Sequence, residues 1–151
     1  MNSYTEAIPI LVADDDAEDC LFLREAFEEN RLANPLFFVS DGVELVDYLY
    51  NRGEYADPAR APRPGIILLD LNMPRKDGRE ALAEIKTDPA LRQIPVVVLT
   101  TSKADEDICR SYDLGVNSYI TKPVTFEALV EVVKTLGRYW LGIVELPRTR
   151  V

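Results

Sequence analysis

The stretch that decides the fold is Ile66-Ile67-Leu68-Leu69-Asp70-Leu71-Asn72-Met73-Pro74. Its first four residues form a continuous apolar run, which is typical of a short strand that is buried on both faces. Four more runs of this kind occur, at residues 8–13, 36–39, 96–99 and 118–121. The last of them is more polar, which predicts an edge strand.

The segments between these runs have the pattern of amphipathic helices, and each begins with a residue that can cap a helix. The predicted caps are Asp16, Asp41, Asp77, Ser102 and Thr125. The first four have an acidic residue three positions later, which is typical of a capping box. Those acidic residues are Asp19, Glu44, Glu80 and Asp105. We expect Gly53 to end the second helix, Asp88-Pro89 the third and Gly115 the fourth.

Five strands that alternate with helices predict an α/β domain, with a parallel sheet covered by helices on both faces. The length of 151 residues suits one domain. In such a sheet a functional site forms beyond the carboxyl ends of the strands, where the strand order reverses. Residues 51–65 are a long connection with three prolines, which we predict to be an ordered surface excursion rather than a linker.

The residues at the predicted strand ends carry unusual chemistry. Asp14-Asp15-Asp16 follows the first run, Asp70 the third, Thr100 ends the fourth and Lys122-Pro123 follows the fifth. Carboxylates packed at one sheet edge repel each other, and a divalent cation relieves that repulsion. Mg²⁺ prefers oxygen ligands, and a nearby ammonium group stabilises charge on a phosphoryl group in transfer. The sequence therefore predicts a Mg²⁺ site that handles phosphoryl groups.

Each of these residues has a plain structural explanation when it is taken alone. Asp16 can be only a helix cap, and Asp14-Asp15 a solvated turn. Thr100 can bond to backbone, and Lys122 can be a surface charge. Their joint occurrence at successive strand ends favours the functional interpretation.

Composition narrows the function classes. The formal net charge is −9, from 26 acidic and 17 basic residues, which disfavours binding to nucleic acid or to an anionic membrane surface. Histidine is absent, which excludes Ser-His-Asp and Cys-His catalysis. Cys20 and Cys109 lack metal-ligand spacing and are interpreted as core thiols of a cytoplasmic protein. Residues 1–7 do not have the pattern of a signal peptide, and no apolar run approaches the roughly 18 residues of a membrane span.

The combined pattern resembles the receiver domain of a two-component response regulator. Asp14-Asp15 resemble the acidic pair of that family, residues 68–74 its phosphoacceptor segment, and Thr100 and Lys122-Pro123 its remaining signature residues. The resemblance covers about residues 8–137. It implies a flavodoxin-like, doubly wound sheet of five parallel strands in the order 2-1-3-4-5 with five helices. The whole chain, 1–151, is then one receiver domain with a C-terminal extension at 138–151.

The resemblance also implies roles for individual residues. Asp70 is expected to accept a phosphoryl group from a histidine of a sensor kinase and to become 4-aspartylphosphate. Asp15, Asp70 and the Asn72 carbonyl are expected to ligate Mg²⁺ directly, and Asp14 mainly through water. Lys122 is expected to pair with phosphoryl oxygens, and the Lys122-Pro123 bond to be cis.

A coupled motion of Thr100 and Tyr119 is the conformational switch that the resemblance implies. When the Thr100 hydroxyl moves towards a phosphoryl oxygen, Tyr119 is the aromatic residue that can fill the vacated space. The alternative is that Tyr119 is an ordinary half-buried strand residue.

Features outside the signature narrow the resemblance. The excursion at 51–65 and the apolar tail at 139–147 resemble single-domain regulators that are associated with bacterial phytochromes and related sensor kinases.

About a dozen residues follow the fifth helix, so we expect the regulator to pass its signal on through a protein–protein contact. We predict a homodimer built from the fourth helix, fifth strand, fifth helix and tail. The alternative is a tail that folds back over its own domain.

Three rival functions remain open at this point. A haloacid-dehalogenase-like phosphatase also uses an Asp nucleophile and Mg²⁺, but it needs an acid where this chain has Asn72. A flavin or nucleotide binder needs a loop that cradles phosphate where this chain has three aspartates. A receiver that no longer accepts phosphoryl groups would serve only as a docking module.

Overall fold

The computed structural model describes residues 7–147. The sheet contains β1 (Ile10–Ala13), β2 (Leu36–Val39), β3 (Ile66–Leu69), β4 (Val96–Thr100) and β5 (Ser118–Thr121). The α-helices are α1 (Ala17–Glu29), α2 (Gly42–Leu49), α3 (Gly78–Thr87), α4 (Asp105–Leu114) and α5 (Phe126–Leu136). A short 3-10 helix spans Gly53–Tyr55, and a π-helical turn, Gly137–Leu141, continues α5.

The sheet is parallel throughout and has the predicted order β2-β1-β3-β4-β5. Side chains of its central strands alternate between two apolar cores, as the pleat requires. Leu11, Ile67 and Val98 face the core that α2 and α3 cover. Val12 and Leu68 face the core that α1 and α5 cover. Helices on both faces explain why the central strands read as continuous apolar runs.

Four of the five predicted helix caps are confirmed. The side chains of Asp16, Asp41, Asp77 and Thr125 accept hydrogen bonds from backbone amides in the first turn of their helices. The predicted cap at Ser102 is wrong. Its hydroxyl instead donates to Asp107 Oδ2 at 2.7 Å, and α4 begins at Asp105.

The predicted end of α2 at Gly53 is also wrong. The helix stops at Leu49, because Asn51 adopts a left-handed backbone conformation with φ of 54°. The Asn51 amide then donates to the carbonyls of Tyr55 and Ala61. The ends of α3 before Asp88-Pro89 and of α4 at Gly115, whose φ is 105°, are confirmed.

The excursion at 51–65 is packed against the domain, as predicted. The Tyr48 hydroxyl donates to the Pro62 carbonyl at 2.9 Å, and Ala61 is buried in the core beside α2. These contacts hold the second half of the connection against α2.

The C-terminal tail largely folds back over its own domain, which was the alternative to a free interface. Trp140 is buried, and Leu141, Val144 and Leu146 pack against the α1 and α5 core. Among the large apolar tail residues that the structure describes, only Tyr139 and Ile143 are well exposed, at 53% and 71%.

The two cysteines differ from the prediction. Cys20 is half-buried on α1, whereas Cys109 is exposed on α4 and is not a core thiol. Within residues 7–147, none of the helices combines the length and the apolar character that a membrane crossing requires.

Candidate phosphoryl-transfer site

The carboxyl edge of the sheet brings the predicted site residues together. Backbone hydrogen bonds continue the sheet past its strands: Asp70 N donates to Ala13 O, and Lys122 N donates to Thr100 O. The side chains of Asp14, Asp70 and Thr100 are almost fully buried. Carboxylate oxygens of Asp14, Asp15 and Asp70 lie within 4.8 Å of one another.

Lys122 lies at the centre of this cluster. Its Nζ atom is 2.8 Å from Asp14 Oδ2, 2.7 Å from Asp19 Oδ2 and 3.0 Å from Asp70 Oδ2. An ammonium group has three N–H donors, so each carboxylate receives one of them. The three contacts fix the position of a flexible side chain.

Burial and charge act in opposite directions on the titratable groups. Burial raises the pKa of Asp14, and the hydrogen bond from Lys122 offsets only part of that effect. Burial alone would lower the pKa of Lys122. Hydrogen bonds to Asp14 and Asp19 outweigh it and hold that pKa above its usual value. Lys122 is therefore a permanent cation in this site.

The second oxygen of Asp70 is held from the other side. Thr100 Oγ1 donates to Asp70 Oδ1 at 2.7 Å, and the backbone N–H of Asn72 donates to the same oxygen at 3.1 Å. Helix α3 begins very close to the backbone of Asp70. A Cβ atom on Gly78 would lie only 2.4 Å from the Asp70 carbonyl oxygen. Glycine at position 78 thus permits this close approach.

The loop after β3, residues 71–77, is fixed by contacts with the N-terminal end of α2. Arg75 has a φ of 62° and its Nε donates to Asp41 Oδ2 at 2.8 Å. Gly42 N donates to the carbonyl of Lys76 at 2.9 Å. Asn72 is carried by this supported loop.

A second polar network connects α3 to α4. Arg79 donates from Nε and Nη2 to the two carboxylate oxygens of Asp107, at 2.7 Å each. These bonds lower the pKa of Asp107 to about 2. Asp107 also accepts from Ser102, whose carbonyl accepts from the Tyr119 hydroxyl at 3.1 Å.

The sequence interpretation missed Asp19, Arg79 and Asp107. Asp19 was expected to complete a capping box with Asp16, but its carboxylate contacts Lys122 instead. The expected cis Lys122-Pro123 bond is wrong, because every peptide bond in the described residues is trans, the form that X–Pro bonds intrinsically favour.

Comparison with known proteins agrees with this geometry. The family model "Response regulator receiver domain" matches residues 10–134. Response regulator Rcp1 of Synechocystis sp. is 43% identical over 138 residues, which cover 91% of this chain and 92% of Rcp1.

Two solved structures extend the likeness to the fold. The phosphorylated cyanobacterial phytochrome response regulator RcpA has a TM-score of 0.88 and 45% identity, covering 95% of this chain and all of RcpA. The Mn²⁺-bound form of Rcp1 has a TM-score of 0.85 and 42% identity, covering 93% of this chain and 99% of Rcp1. The chain belongs to the response regulator receiver domain family and is a phosphoacceptor of two-component signalling.

Proposed function

We propose that Asp70 is the phosphoacceptor and that it becomes 4-aspartylphosphate. The observation that carries this proposal is the convergence of three donors, from Lys122, Thr100 and the Asn72 amide, on one buried carboxylate. No other described carboxylate combines those contacts.

The transfer needs little covalent chemistry from the protein. One Asp70 carboxylate oxygen forms a bond to phosphorus while the bond between phosphorus and the kinase histidine nitrogen breaks. Lys122 stabilises the charge on the phosphoryl oxygens, and Thr100 and Asn72 orient the carboxylate. Positioning and charge stabilisation are the main sources of rate in such reactions.

We propose that Mg²⁺ is the cation of this site. Asp15, Asp70 and the Asn72 carbonyl would hold it directly, and Asp14 mainly through water. The grouped carboxylate oxygens of Asp14, Asp15 and Asp70 suit a hard divalent cation, and the related Rcp1 has a Mn²⁺-bound form. When bound, the ion neutralises part of the charge on the transferring phosphoryl group.

The chain would then catalyse only its own phosphorylation and dephosphorylation. A phosphatase of the haloacid-dehalogenase type requires a proton donor at position 72, and the Asn72 amide cannot exchange protons in that role. A flavin or nucleotide phosphate would face the carboxylates of Asp14 and Asp15, which repel an anion.

The partner that we propose is a sensor histidine kinase of the phytochrome type. The support is the likeness to RcpA, which is a phytochrome response regulator. Such a kinase would meet this chain in the cytoplasm, which agrees with two cysteines that form no disulfide. The strongly negative net charge disfavours nucleic acid and anionic membranes as further partners.

We also propose a homodimer through α4, β5, α5 and the tail. Because most of the tail is buried in its own domain, the proposal rests on three exposed apolar side chains of α4 and the tail. These are Tyr112, Tyr139 and Ile143. A twofold dimer would cover two copies of each.

Removal of the Asp70 nucleophile tests the proposed function. We expect wild-type protein that is incubated with Mg²⁺ and a small acyl-phosphate donor to gain one phosphoryl group, detected by intact mass. Asp70→Asn should abolish this gain because an amide is a far weaker nucleophile, and a chelator should prevent it in the wild type. Glu18→Gln, which removes an exposed carboxylate of α1, should leave it intact. Equal labelling of Asp70→Asn and wild type contradicts the assignment, and no labelling of the wild type favours a docking module.

A further inference from the structure

Lys122 makes its shortest contact with Asp19, a residue of α1 that does not lie at the end of a strand. The Nζ–Oδ2 distance is 2.7 Å, against 2.8 Å to Asp14 and 3.0 Å to Asp70. Asp19 lies in the first turn of α1, and 103 residues separate it from Lys122. The contact therefore connects α1 directly to the segment that follows β5.

The three carboxylates around Lys122 are not equivalent. Asp14 and Asp70 belong to the group whose oxygens can hold a metal ion, whereas Asp19 does not. Phosphorylation would also convert the Asp70 carboxylate into an acyl phosphate. Asp19 is thus the one partner of Lys122 that neither the metal nor the phosphoryl group would engage.

We propose that Asp19 is a positioning residue that holds Lys122 beside Asp70 throughout the phosphorylation cycle, an inference that rests on the proposed function. A lysine side chain has several rotatable bonds and loses rotamer entropy when it is fixed in one position. A partner that fixes it in advance lowers this cost at the moment when the phosphoryl group binds.

The geometry shows that Asp19 does not compete with Asp70 for the Lys122 ammonium group. Asp19 and Asp70 contact the same Nζ atom at the same time, so Lys122 need not leave Asp19 in order to reach Asp70. The N–H groups of Lys122 that now bond to Asp70 and Asp14 can turn to a phosphoryl oxygen, while the bond to Asp19 stays in place. Loss of Asp19 should therefore weaken the phosphoryl interaction rather than strengthen it.

The test compares Asp19→Ala with Glu18→Ala. Both residues lie in the first turn of α1, and each change removes one negative charge and leaves alanine in the helix. Glu18 is a matched control because no described contact joins its side chain to Lys122. If Asp19 acted only through its negative charge near the N-terminus of α1, Asp19→Ala and Glu18→Ala would be affected alike.

The first measurement is the dissociation constant of fluoroberyllate, a phosphoryl mimic, at saturating Mg²⁺ for each variant. We expect Asp19→Ala to bind it about fivefold to tenfold more weakly than wild type, the loss typical of one ordinary hydrogen bond. Glu18→Ala should stay near the wild-type value. Asp19→Asn should recover part of the loss, because its amide oxygen still accepts a bond from Lys122.

The second measurement is the NMR signal of the Lys122 ammonium group in protein without ligand. Its protons should exchange slowly with water in the wild type and in Glu18→Ala, and rapidly in Asp19→Ala. Equal behaviour of the two alanine variants, or tighter fluoroberyllate binding by Asp19→Ala, overturns the inference. Failure of the wild type to bind fluoroberyllate or accept a phosphoryl group counts against the proposed function, whereas the ammonium signal still decides the Asp19 contact.

Discussion

The hydroxyl of Thr100 is the residue-scale feature that connects the site to the proposed switch. It is fully buried and already donates to Asp70 Oδ1, while the half-buried ring of Tyr119 packs against the neighbouring core. We propose that a phosphoryl group on Asp70 draws this hydroxyl to a new acceptor and that Tyr119 moves in response. Such a shift requires that the phosphoryl group favour one conformation over the other.

We expect Thr100→Val to accept a phosphoryl group but to lose the response of Tyr119. Valine has nearly the shape of threonine without the hydroxyl, so the missing hydrogen bond removes about 1 to 3 kcal/mol of preference for the switched state. The measurement is the NMR signal of the Tyr119 ring with and without fluoroberyllate. Thr100→Ser keeps the hydroxyl and should retain the response, and a full response in Thr100→Val would reject the coupling.

Sequence reasoning predicted the site residues that immediately follow strands and missed those that reach it from helices. The predicted residues lie at strand ends, where the topology of a parallel sheet brings them together. They are Asp14, Asp15, Asp70, Thr100 and Lys122. Asp19 and Arg79 depend on the direction and reach of a side chain from a helical turn. The apolar pattern of the sequence does not encode that direction.

At the scale of elements, the paired hydrogen bonds of Arg79 and Asp107 hold α3 and α4 together. The Asp107 side chain is only 16% exposed and also accepts from Ser102. This use of Ser102 explains why α4 starts at Asp105 instead of at a Ser102 cap. A capping residue is recognisable in sequence, but a competing long-range partner is not.

We expect Asp107→Asn to lower the free energy of unfolding by about 1 to 2 kcal/mol at pH 7. The pKa of Asp107 falls from 3.8 to about 2 in the folded protein, so the charged form is stabilised by folding. This contribution is complete above about pH 5 and declines as the pH falls through 3.8 towards 2. Urea titrations at pH 7 and pH 3 measure it.

The difference between wild type and Asp107→Asn should therefore be smaller at pH 3 than at pH 7. Asp105→Asn, in the same turn of α4, is the matched control because Arg79 does not contact Asp105. An equal loss at both pH values, or an equal loss in the control, would show that Asp107 does not act through this ion pair.

At the scale of the whole molecule, the tail has two faces with different roles. Trp140 and Leu146 cover the core, so a truncation at Arg138 would open it and cost about 3 kcal/mol or more. Tyr139 and Ile143 face outward and can be changed without that damage. The apolar composition of the tail did not reveal this division, because burial depends on how the chain turns after α5.

We expect wild-type protein to have the mass of a dimer in light scattering at micromolar concentration. The double change Tyr139→Ser and Ile143→Ser should give a monomer and cost less stability than the truncation at Arg138, because both side chains are largely exposed and Tyr139 contacts Trp140 only at a ring edge. Leu21→Ser, which changes an exposed residue of α1 outside the proposed interface, should remain dimeric. A monomeric wild type rejects the dimer.

The raised pKa of Lys122 has a consequence for the chemical survival of an acyl phosphate. Such a group is an activated acid derivative, and a neutral amine 3.0 Å from Asp70 would attack its carbonyl carbon, expel phosphate and leave a permanent amide cross-link. An ammonium group has no lone pair and cannot begin this aminolysis. The carboxylates that keep Lys122 protonated therefore protect the chain from acylating itself.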